Sequence, residues 1–416
     1  MDKTTICPSS IQGTITAPSS KSDMLRAVAA AYLTGGQCEI LRPSYCEDAL
    51  AALRIVESSG VQIEKTEDRV RFTPTGNTGE TVLDCGESGL CIRMFPSIVA
   101  LSEKPKTLVG YGSLTSRPLW MLEQPLHDLG VECHTKDGLL PVTVKGPLKA
   151  GKTTVDASTT SQFLTGLLMA LPLCEGTSEI VVPDLKSKPY IEMTLNVLAA
   201  FGVKIEHERL QRFVIHGPQK YTAINYQVEG DWSGASCPLV AGAIAGDVRV
   251  ENLRHHSFQA DVAILEALRL SGAALEIGDD YVEVSKQPLI GFEFDATDCP
   301  DLFPALVALA AYCQGKSIIH GAQRLSVKES DRGTALLTEF RKMGASIALF
   351  PDRIEIIGGT PLDGGTVESH NDHRIAMACA VAGFGSKHGV AIRSSACVAK
   401  SYPNFFEDLN GLTTTV

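Results

Sequence analysis

One pattern of apolar and polar positions recurs along the 416-residue chain. Helical segments with apolar residues three or four positions apart end in Gly followed by Val or Ala, as expected where a left-handed residue closes a helix. These glycines lie about 70 residues apart, at Gly60, Gly130, Gly202, Gly272 and Gly344. Alternating apolar and polar residues with a polar turn, as in AALEIGDDYVEVS, mark hairpins in the same units. The pattern predicts a repeat that contains a surface helix and a hairpin.

A second kind of helix recurs with nearly the same period. It begins with polar residues and then becomes rich in Ala, Leu and Gly on every face, which is typical of a buried helix. Its starts lie near Ser20, Ser88, Ser161, Ser233, Asp301 and Asp372. The sequence therefore predicts an α/β protein of six β-α-β-α-β-β units, each with one buried helix and one surface helix.

Too few residues follow the last predicted helix to form the hairpin of the sixth unit. The missing strands are predicted at the other end of the chain, in TTIC and GTITAP, so both ends of the chain belong to one domain. We predict a discontinuous domain of residues 1–19 plus 230–416 and an inserted domain of residues 20–229, with three units in each.

Composition narrows the class of protein. The formal net charge of −11 and a pI of about 5.4 argue against a nucleic-acid or anionic-membrane surface. The N-terminal segment lacks the apolar run of a signal peptide, and the longest apolar stretch, FLTGLLMALPLC, is too short to span a bilayer. Twelve scattered cysteines without a C-x-x-C pair indicate reduced core cysteines. We expect a cytoplasmic protein in which local cations bind any anionic ligand.

The polar starts of the buried helices carry cations, among them Lys21, Arg26, Arg93 and Arg374. Polar residues at a helix start ordinarily just cap it. A cation there is unfavourable beside the positive end of the helix dipole unless an anion neutralises both. Six such starts, three in each domain, predict an active site for a polyanion in the cleft between the domains.

The segment RLSVKESDRG, residues 324–333, combines acids and bases before a helix. One interpretation is a solvated, capped helix start with local pairing of Lys328, Glu329, Asp331 and Arg332. The other is a proton-transfer pair, Lys328 and Glu329, in which each side chain maintains the charge of the other.

Several motifs appear in one order along the chain. They are PSSKS with Arg26, TSQFLTGLLMA, SKPYIE, VKESDR, NDHR and CVAKSYPNF. Together, from about residue 13 to residue 408, they resemble the 5-enolpyruvylshikimate-3-phosphate synthases, a family of enolpyruvyl transferases. The resemblance implies a two-domain inside-out α/β barrel of six repeats. It also implies transfer of the enolpyruvyl group of phosphoenolpyruvate to the 5-hydroxyl of shikimate 3-phosphate, with release of phosphate.

The resemblance also implies the site. Catalysis would involve Asp301, Lys328, Glu329 and Lys21. Shikimate 3-phosphate would be bound by Lys21, Ser22, Arg26, Thr160, Ser161, Gln162, Ser187, Asp301 and Lys328. Phosphoenolpyruvate would be bound by Lys21, Gly89, Gln162, Arg332, Arg374, Lys400 and, as a further candidate, Arg117. The family needs no metal or organic cofactor and is expected to be monomeric.

The chain departs from the family pattern at three places. Ser113 replaces the first arginine of the G-x-x-R-M-x-x-R-P loop, which leaves Arg117. Ser326 replaces another arginine, and ESGLCIRM differs from the usual N-A-G-T-A-x-R-P. The affinity for phosphoenolpyruvate and for the inhibitor glyphosate is therefore left open.

Three alternatives remain. A UDP-N-acetylglucosamine enolpyruvyl transferase shares the fold and the donor, but GYGSLTSRPLWML lacks the reactive cysteine of that family's loop. RNA 3'-phosphate cyclases use related repeats, which the negative net charge opposes. The third alternative is a catalytically weakened paralogue.

Overall fold

The structure is a computed structural model that describes residues 2–77 and 79–413. The chain divides into two compact units. Unit 1 comprises Met1–Ser20 and Glu229–Val416, and unit 2 comprises Lys21–Val228.

Buried and surface helices alternate along the chain. The buried helices are α1 (Lys21–Leu33), α3 (Gly89–Val99), α5 (Gln162–Ala170), α7 (Trp232–Ala245), α9 (Phe303–Tyr312) and α11 (His373–Phe384). The others are α2 (Glu47–Ser58), α4 (Glu123–Asp128), α6 (Lys188–Ala200), α8 (Ile264–Leu270), α10 (Arg332–Lys342) and α12 (Phe405–Gly411). Every residue of α3 and α11 is buried. The alternation confirms the predicted order of helices.

Unit 2 contains three four-stranded sheets of one design. The first, in spatial order, is β14 (Asn225–Gln227), β3 (Cys38–Leu41), β5 (Arg69–Pro74) and β4 (Val61–Lys65). The second is β6 (Val82–Asp84), β7 (Lys106–Val109), β9 (Leu139–Lys145) and β8 (Glu132–Lys136). The third is β10 (Lys152–Thr154), β11 (Gly176–Val181), β13 (Arg212–Gly217) and β12 (Glu206–Glu208). In each sheet the first two strands are parallel and the remaining neighbours are antiparallel.

Unit 1 repeats the design with strands from both ends of the chain. One sheet is β16 (Ala274–Ile277), β17 (Tyr281–Ser285), β15 (Gly246–Glu251) and β2 (Ile11–Thr16). Another is β18 (Glu293–Asp295), β19 (Gly315–His320), β21 (Arg353–Gly358) and β20 (Ser346–Leu349). The third is β1 (Lys3–Ile6), β23 (Val390–Arg393) and β22 (Gly365–Glu368).

The N-terminal strands enter two different sheets. β1, which contains most of TTIC, completes the sheet of the sixth unit by pairing antiparallel to β23, as predicted. The placement of GTITAP in the sixth unit was wrong, because β2 pairs parallel to β15 in the sheet of the fourth unit. β22 already fills the parallel position beside β23. In the sheet of the fourth unit, the strand that lies parallel to β15 is β2, which precedes α1.

Small residues let the buried helices approach one another closely. In each unit the three buried helices contact one another. A Cβ added at Gly166 of α5 would lie 2.3 Å from the backbone oxygen of Met94 in α3. The backbones of the two helices are therefore in direct contact, which explains the glycine within TSQFLTGLLMA.

The repeated glycines close the surface helices as predicted. Gly60, Gly130, Gly202, Gly272 and Gly344 all have φ between 81° and 94°. These are left-handed conformations that cost an L side chain free energy.

We expect Gly272→Ala to lower the free energy of unfolding by about 1 kcal/mol, because the added methyl has room but φ is +81°. Urea unfolding followed by circular dichroism measures the change. Gly411→Ala, in the same unit, is the matched control, since Gly411 ends a helix without positive φ and no atom of residues 2–77 and 79–413 outside that helix approaches its added Cβ within 4 Å. Equal stability of the two variants would contradict the left-handed requirement.

Candidate functional site

A buried arginine connects three carboxylates in unit 1. Arg332, the first residue of α10, has a side chain that is only 1% exposed. Its Nη1 lies 2.8 Å from Asp301 Oδ1, its Nη2 2.7 Å from Glu329 Oε2, and its Nε 3.0 Å from Asp372 Oδ2. Asp301 lies in the 3-10 turn before α9, and Asp372 is the N-cap of α11. This one guanidinium therefore joins the starts of three helices.

Lys328 completes the cluster. Its Nζ lies 3.1 Å from Asp301 Oδ1, the oxygen that Arg332 also contacts. Burial lowers the pKa of Lys328, although the charge of Asp301 acts in the opposite direction. Burial also lowers the pKa of Arg332, but the carboxylates around it raise that pKa above its usual range. Lys328 is therefore the cation of this cluster that gives up a proton more readily.

Asp372 fixes the start of α11. Its Oδ1 accepts a hydrogen bond from the backbone N of Arg374 at 3.0 Å, and its Oδ2 accepts one from Ser330 Oγ at 3.0 Å. The buried Arg374 donates from Nη1 to the backbone oxygen of Ser233 at 2.6 Å. Its Nε forms no hydrogen bond with the part of the chain that the structure describes. Arg374 thus retains a buried donor for an anion.

The loop before α11 is held on two sides. His370 and Asn371 both have left-handed backbones, with φ of 55° and 54°. His370 Nε2 lies 2.7 Å from the Oε1 of Glu339, whose side chain is buried. Lys400 is buried and donates from Nζ to the backbone oxygen of Asn371 at 2.8 Å. These contacts place Lys400 beside the loop that carries Asp372.

Asp261 is a charged residue of this region that the motifs did not reveal. It is buried in the 3-10 turn Ala260–Ala263. Burial, and then the charge of Asp301, raise the pKa of Asp261 to about 6, while the nearby Ser233 hydroxyl and the charge of Arg374 oppose the shift. Its segment, FQADVAI, has the pattern of an ordinary helix start, so the sequence offered no signal for a special carboxylate.

In unit 2, α1 supplies the first group of predicted residues. Lys21, the first residue of α1, has its Nζ 3.2 Å from Oδ2 of Asp48, which lies in the first turn of α2. Asp48 was not predicted. The buried Arg26 donates from Nε to Thr194 Oγ1 at 2.9 Å and from Nη1 to the backbone oxygen of Ser22 at 2.7 Å. Burial lowers the pKa of Arg26 to about 10. Arg26 therefore joins α1 to α6, and Lys21 remains the more accessible cation.

The second group of unit 2 surrounds the starts of α3 and α5. Arg93 donates from Nη1 to Gln162 Oε1 at 2.9 Å and to the backbone oxygen of Gly89 at 3.3 Å. A Cβ added at Gly89 would lie 2.6 Å from Arg117 Nη1, so the Arg117 guanidinium packs directly on this glycine. Arg93 thus joins Gly89 to Gln162, and Arg117 lies against the same glycine. The motifs assign no role to Arg93.

The remaining predicted residues precede helices. Thr160 Oγ1 accepts a hydrogen bond from the backbone N of Gln162 at 3.3 Å, and Ser161 is the N-cap of α5. Ser187 is the N-cap of α6 and is buried with a left-handed φ of 54°. A non-glycine residue in that conformation is strained, which is a frequent property of functional positions.

Within residues 2–77 and 79–413, no group of three or more His, Cys, Asp or Glu side chains could hold a metal ion. Over the same residues, no helix is both long and apolar enough to cross a bilayer. The twelve cysteines are free thiols in the structure, and all except Cys7 are buried, as expected for cysteines of the core.

Comparison with known proteins identifies the family. The profile of EPSP synthase (3-phosphoshikimate 1-carboxyvinyltransferase) matches residues 7–409. The chain belongs to this family. The 3-phosphoshikimate 1-carboxyvinyltransferase of Clostridium novyi (strain NT) is 38% identical over 98% of this chain and 97% of its own. The enzyme of that name from Thermococcus kodakarensis is 40% identical over 97% of this chain and 98% of its own.

Solved structures agree with this assignment. An EPSP synthase from Acinetobacter baumannii superposes with a TM-score of 0.85 at 27% identity, and the match covers 100% of this chain and 99% of that one. The family resemblance and the predicted fold class, the two-domain inside-out α/β fold, are therefore confirmed. The substrate contacts assigned to individual residues stay predictions.

We expect the stability of Asp261→Asn to differ from wild type in a pH-dependent way. The folded pKa of about 6 exceeds the ordinary aspartate value of about 3.9, so the contribution of Asp261 to stability is lost as pH rises through 6. At pH 8 the variant should be more stable by roughly 3 kcal/mol, and the difference should shrink as pH falls from 6 toward 4. Urea unfolding across this pH range measures the effect.

Asp279→Asn is the control for this prediction, because Asp279 is an exposed carboxylate of the same unit. If Asp261→Asn and Asp279→Asn show the same pH dependence, the carboxyl group of Asp261 ionises as it would in water.

Proposed function

We propose that this chain is a 3-phosphoshikimate 1-carboxyvinyltransferase. It transfers the enolpyruvyl group of phosphoenolpyruvate to the 5-hydroxyl of shikimate 3-phosphate and releases phosphate, as a step of the shikimate pathway. The names of its curated relatives, at 35–40% identity over nearly the whole chain, support this activity. The observation that carries the proposal is the contact of Asp301 with both Lys328 and Arg332 in a chain of this family.

Both substrates are anions, and the proposed binding residues suit them. Lysines bind phosphate oxygens as point charges, while arginines form paired hydrogen bonds with a planar carboxylate. We assign shikimate 3-phosphate to Lys21, Ser22, Arg26, Thr160, Ser161, Gln162, Ser187, Asp301 and Lys328. We assign phosphoenolpyruvate to Lys21, Gly89, Gln162, Arg332, Arg374, Lys400 and Arg117.

The proposed chemistry is a proton exchange around the new C–O bond. Asp301 takes the proton of the 5-hydroxyl as the oxygen attacks the central carbon of the enol. Lys328, whose pKa is lowered by burial, protonates the methylene carbon. When the C–O bond to phosphate breaks, Glu329 removes a proton from that methyl carbon and the double bond forms again. Arg332 lies between Asp301 and Glu329, and its guanidinium contacts both carboxylates.

The remaining expectations belong to the same proposal. We expect a cytoplasmic monomer that acts on these two small molecules without a nucleic-acid or membrane partner.

A phosphate-release assay tests the activity. Phosphoenolpyruvate is supplied with either shikimate 3-phosphate or UDP-N-acetylglucosamine as acceptor. We expect release with shikimate 3-phosphate alone. Release with the nucleotide sugar would identify the sister transferase, and release with neither acceptor would identify a catalytically weakened paralogue.

We expect Lys328→Met to lower kcat/KM by at least about 30-fold, because loss of a charged hydrogen bond to a bound anion costs about 2 kcal/mol or more. Steady-state phosphate release measures the loss, and the melting temperature shows whether the variant is folded. Lys286→Met removes an exposed lysine of the same unit and should retain activity. A folded Lys328→Met enzyme with wild-type kcat/KM would remove Lys328 from the site.

A further inference from the structure

The side chain of Glu87 supports the turn in which the family's first loop arginine is replaced. Its Oε2 accepts a hydrogen bond from the backbone N of Ser113 at 3.0 Å. Gly112 has a φ of +59°, and a Cβ added there would lie 2.2 Å from the Glu87 carboxyl group. The turn of residues 112–116 is therefore folded directly against this carboxylate, which is why position 112 requires glycine.

Glu87 also lies at the start of a buried helix. It precedes Ser88, the N-cap of α3, and Gly89, the first residue of that helix. The positive end of the helix dipole stabilises a carboxylate at this place. The Arg117 guanidinium also packs on Gly89. A carboxylate and a guanidinium thus share the helix start that we assign to phosphoenolpyruvate.

These contacts indicate how the charge of Glu87 affects the binding of phosphoenolpyruvate. We propose that Glu87 is a specificity-determining residue, whose carboxylate weakens the binding of phosphoenolpyruvate and neutralises any cation placed at position 113. The inference rests on the proposed function, since it concerns the donor end of that site. The negative charge of Glu87 repels both the carboxylate and the phosphate of phosphoenolpyruvate, and this repulsion weakens binding.

The two positions are coupled by geometry. The backbone N of residue 113 is already bonded to Glu87, so the side chain of an arginine at 113 starts beside the same carboxylate. Such an arginine pairs with Glu87 and contributes little to a bound anion. When the residue at position 87 is neutral, the arginine at position 113 can pair with phosphoenolpyruvate instead. Glutamine at position 87 preserves an acceptor oxygen for the turn while it removes the charge.

A double-mutant cycle tests the proposal with wild type, Glu87→Gln, Ser113→Arg and the double variant. The KM for phosphoenolpyruvate is measured by phosphate release at saturating shikimate 3-phosphate. We expect Glu87→Gln to lower this KM about five-fold, Ser113→Arg to change it by less than about two-fold, and the double variant to lower it about 30-fold or more. The KM for shikimate 3-phosphate should stay within about two-fold of wild type.

Glu103→Gln is the matched control, since it removes an exposed carboxylate of the same unit. It separates a local effect of Glu87 from a change in net charge. If Glu87→Gln has the same KM as Glu103→Gln, or if Ser113→Arg alone equals the double variant, the proposal is overturned.

A binding measurement separates this proposal from the proposed function. Glyphosate, which carries a phosphonate and a carboxylate and is not turned over, is titrated into each protein in the presence of shikimate 3-phosphate. The same ranking of the four dissociation constants supports the role of Glu87 even if phosphate release is slow, and equal constants overturn it. Absence of phosphate release from wild type would count against the proposed function alone.

Discussion

The organisation of unit 1 depends on the buried charge of Arg332. Its guanidinium contacts carboxylates from three separate segments, those of Asp301, Glu329 and Asp372. Without that cation, three negative charges at the starts of α9, α10 and α11 would repel one another in a region with little water. Removing one partner of such a buried pair typically costs 3–5 kcal/mol. The proposed acid and base groups are therefore in reach of one another because this arginine neutralises the carboxylates among them.

The repeat could be predicted because its signals are local. A glycine that closes a helix, such as Gly272, is required by the backbone conformation of one residue, and helix burial is visible in the composition of about a dozen residues. Strand partners are not local. β2 was assigned to the wrong sheet because pairing with β15 joins residues that are far apart in the chain, and the short segment GTITAP carries no mark of its partner.

In the candidate site, too, residues with a local sequence signal could be predicted and those that depend on distant contacts could not. Asp301, Lys328 and Glu329 could be identified from motifs whose order resembles a family, and the structure brings Lys328 and Asp301 into contact. Asp48 and Asp261 could not be identified, because each lies in an ordinary helix or turn and acquires its role from a neighbour supplied by another segment.

Exposure separates the ion pairs that maintain the fold from those that a ligand can replace. Lys21 and Asp48 are 18% and 13% exposed, and Lys328 and Asp301 are 18% and 28% exposed. These pairs keep some contact with water, so a phosphate can reach the lysine and replace the protein carboxylate without leaving a charge fully buried and unpaired. The pair of Arg332 and Asp372 is 1% and 0% exposed, and a ligand cannot separate it without leaving a buried charge unpaired. In the proposed site, Lys21 and Lys328 are therefore the cations whose protein partners a substrate anion would replace, whereas Arg332 belongs to a buried network that has to stay paired.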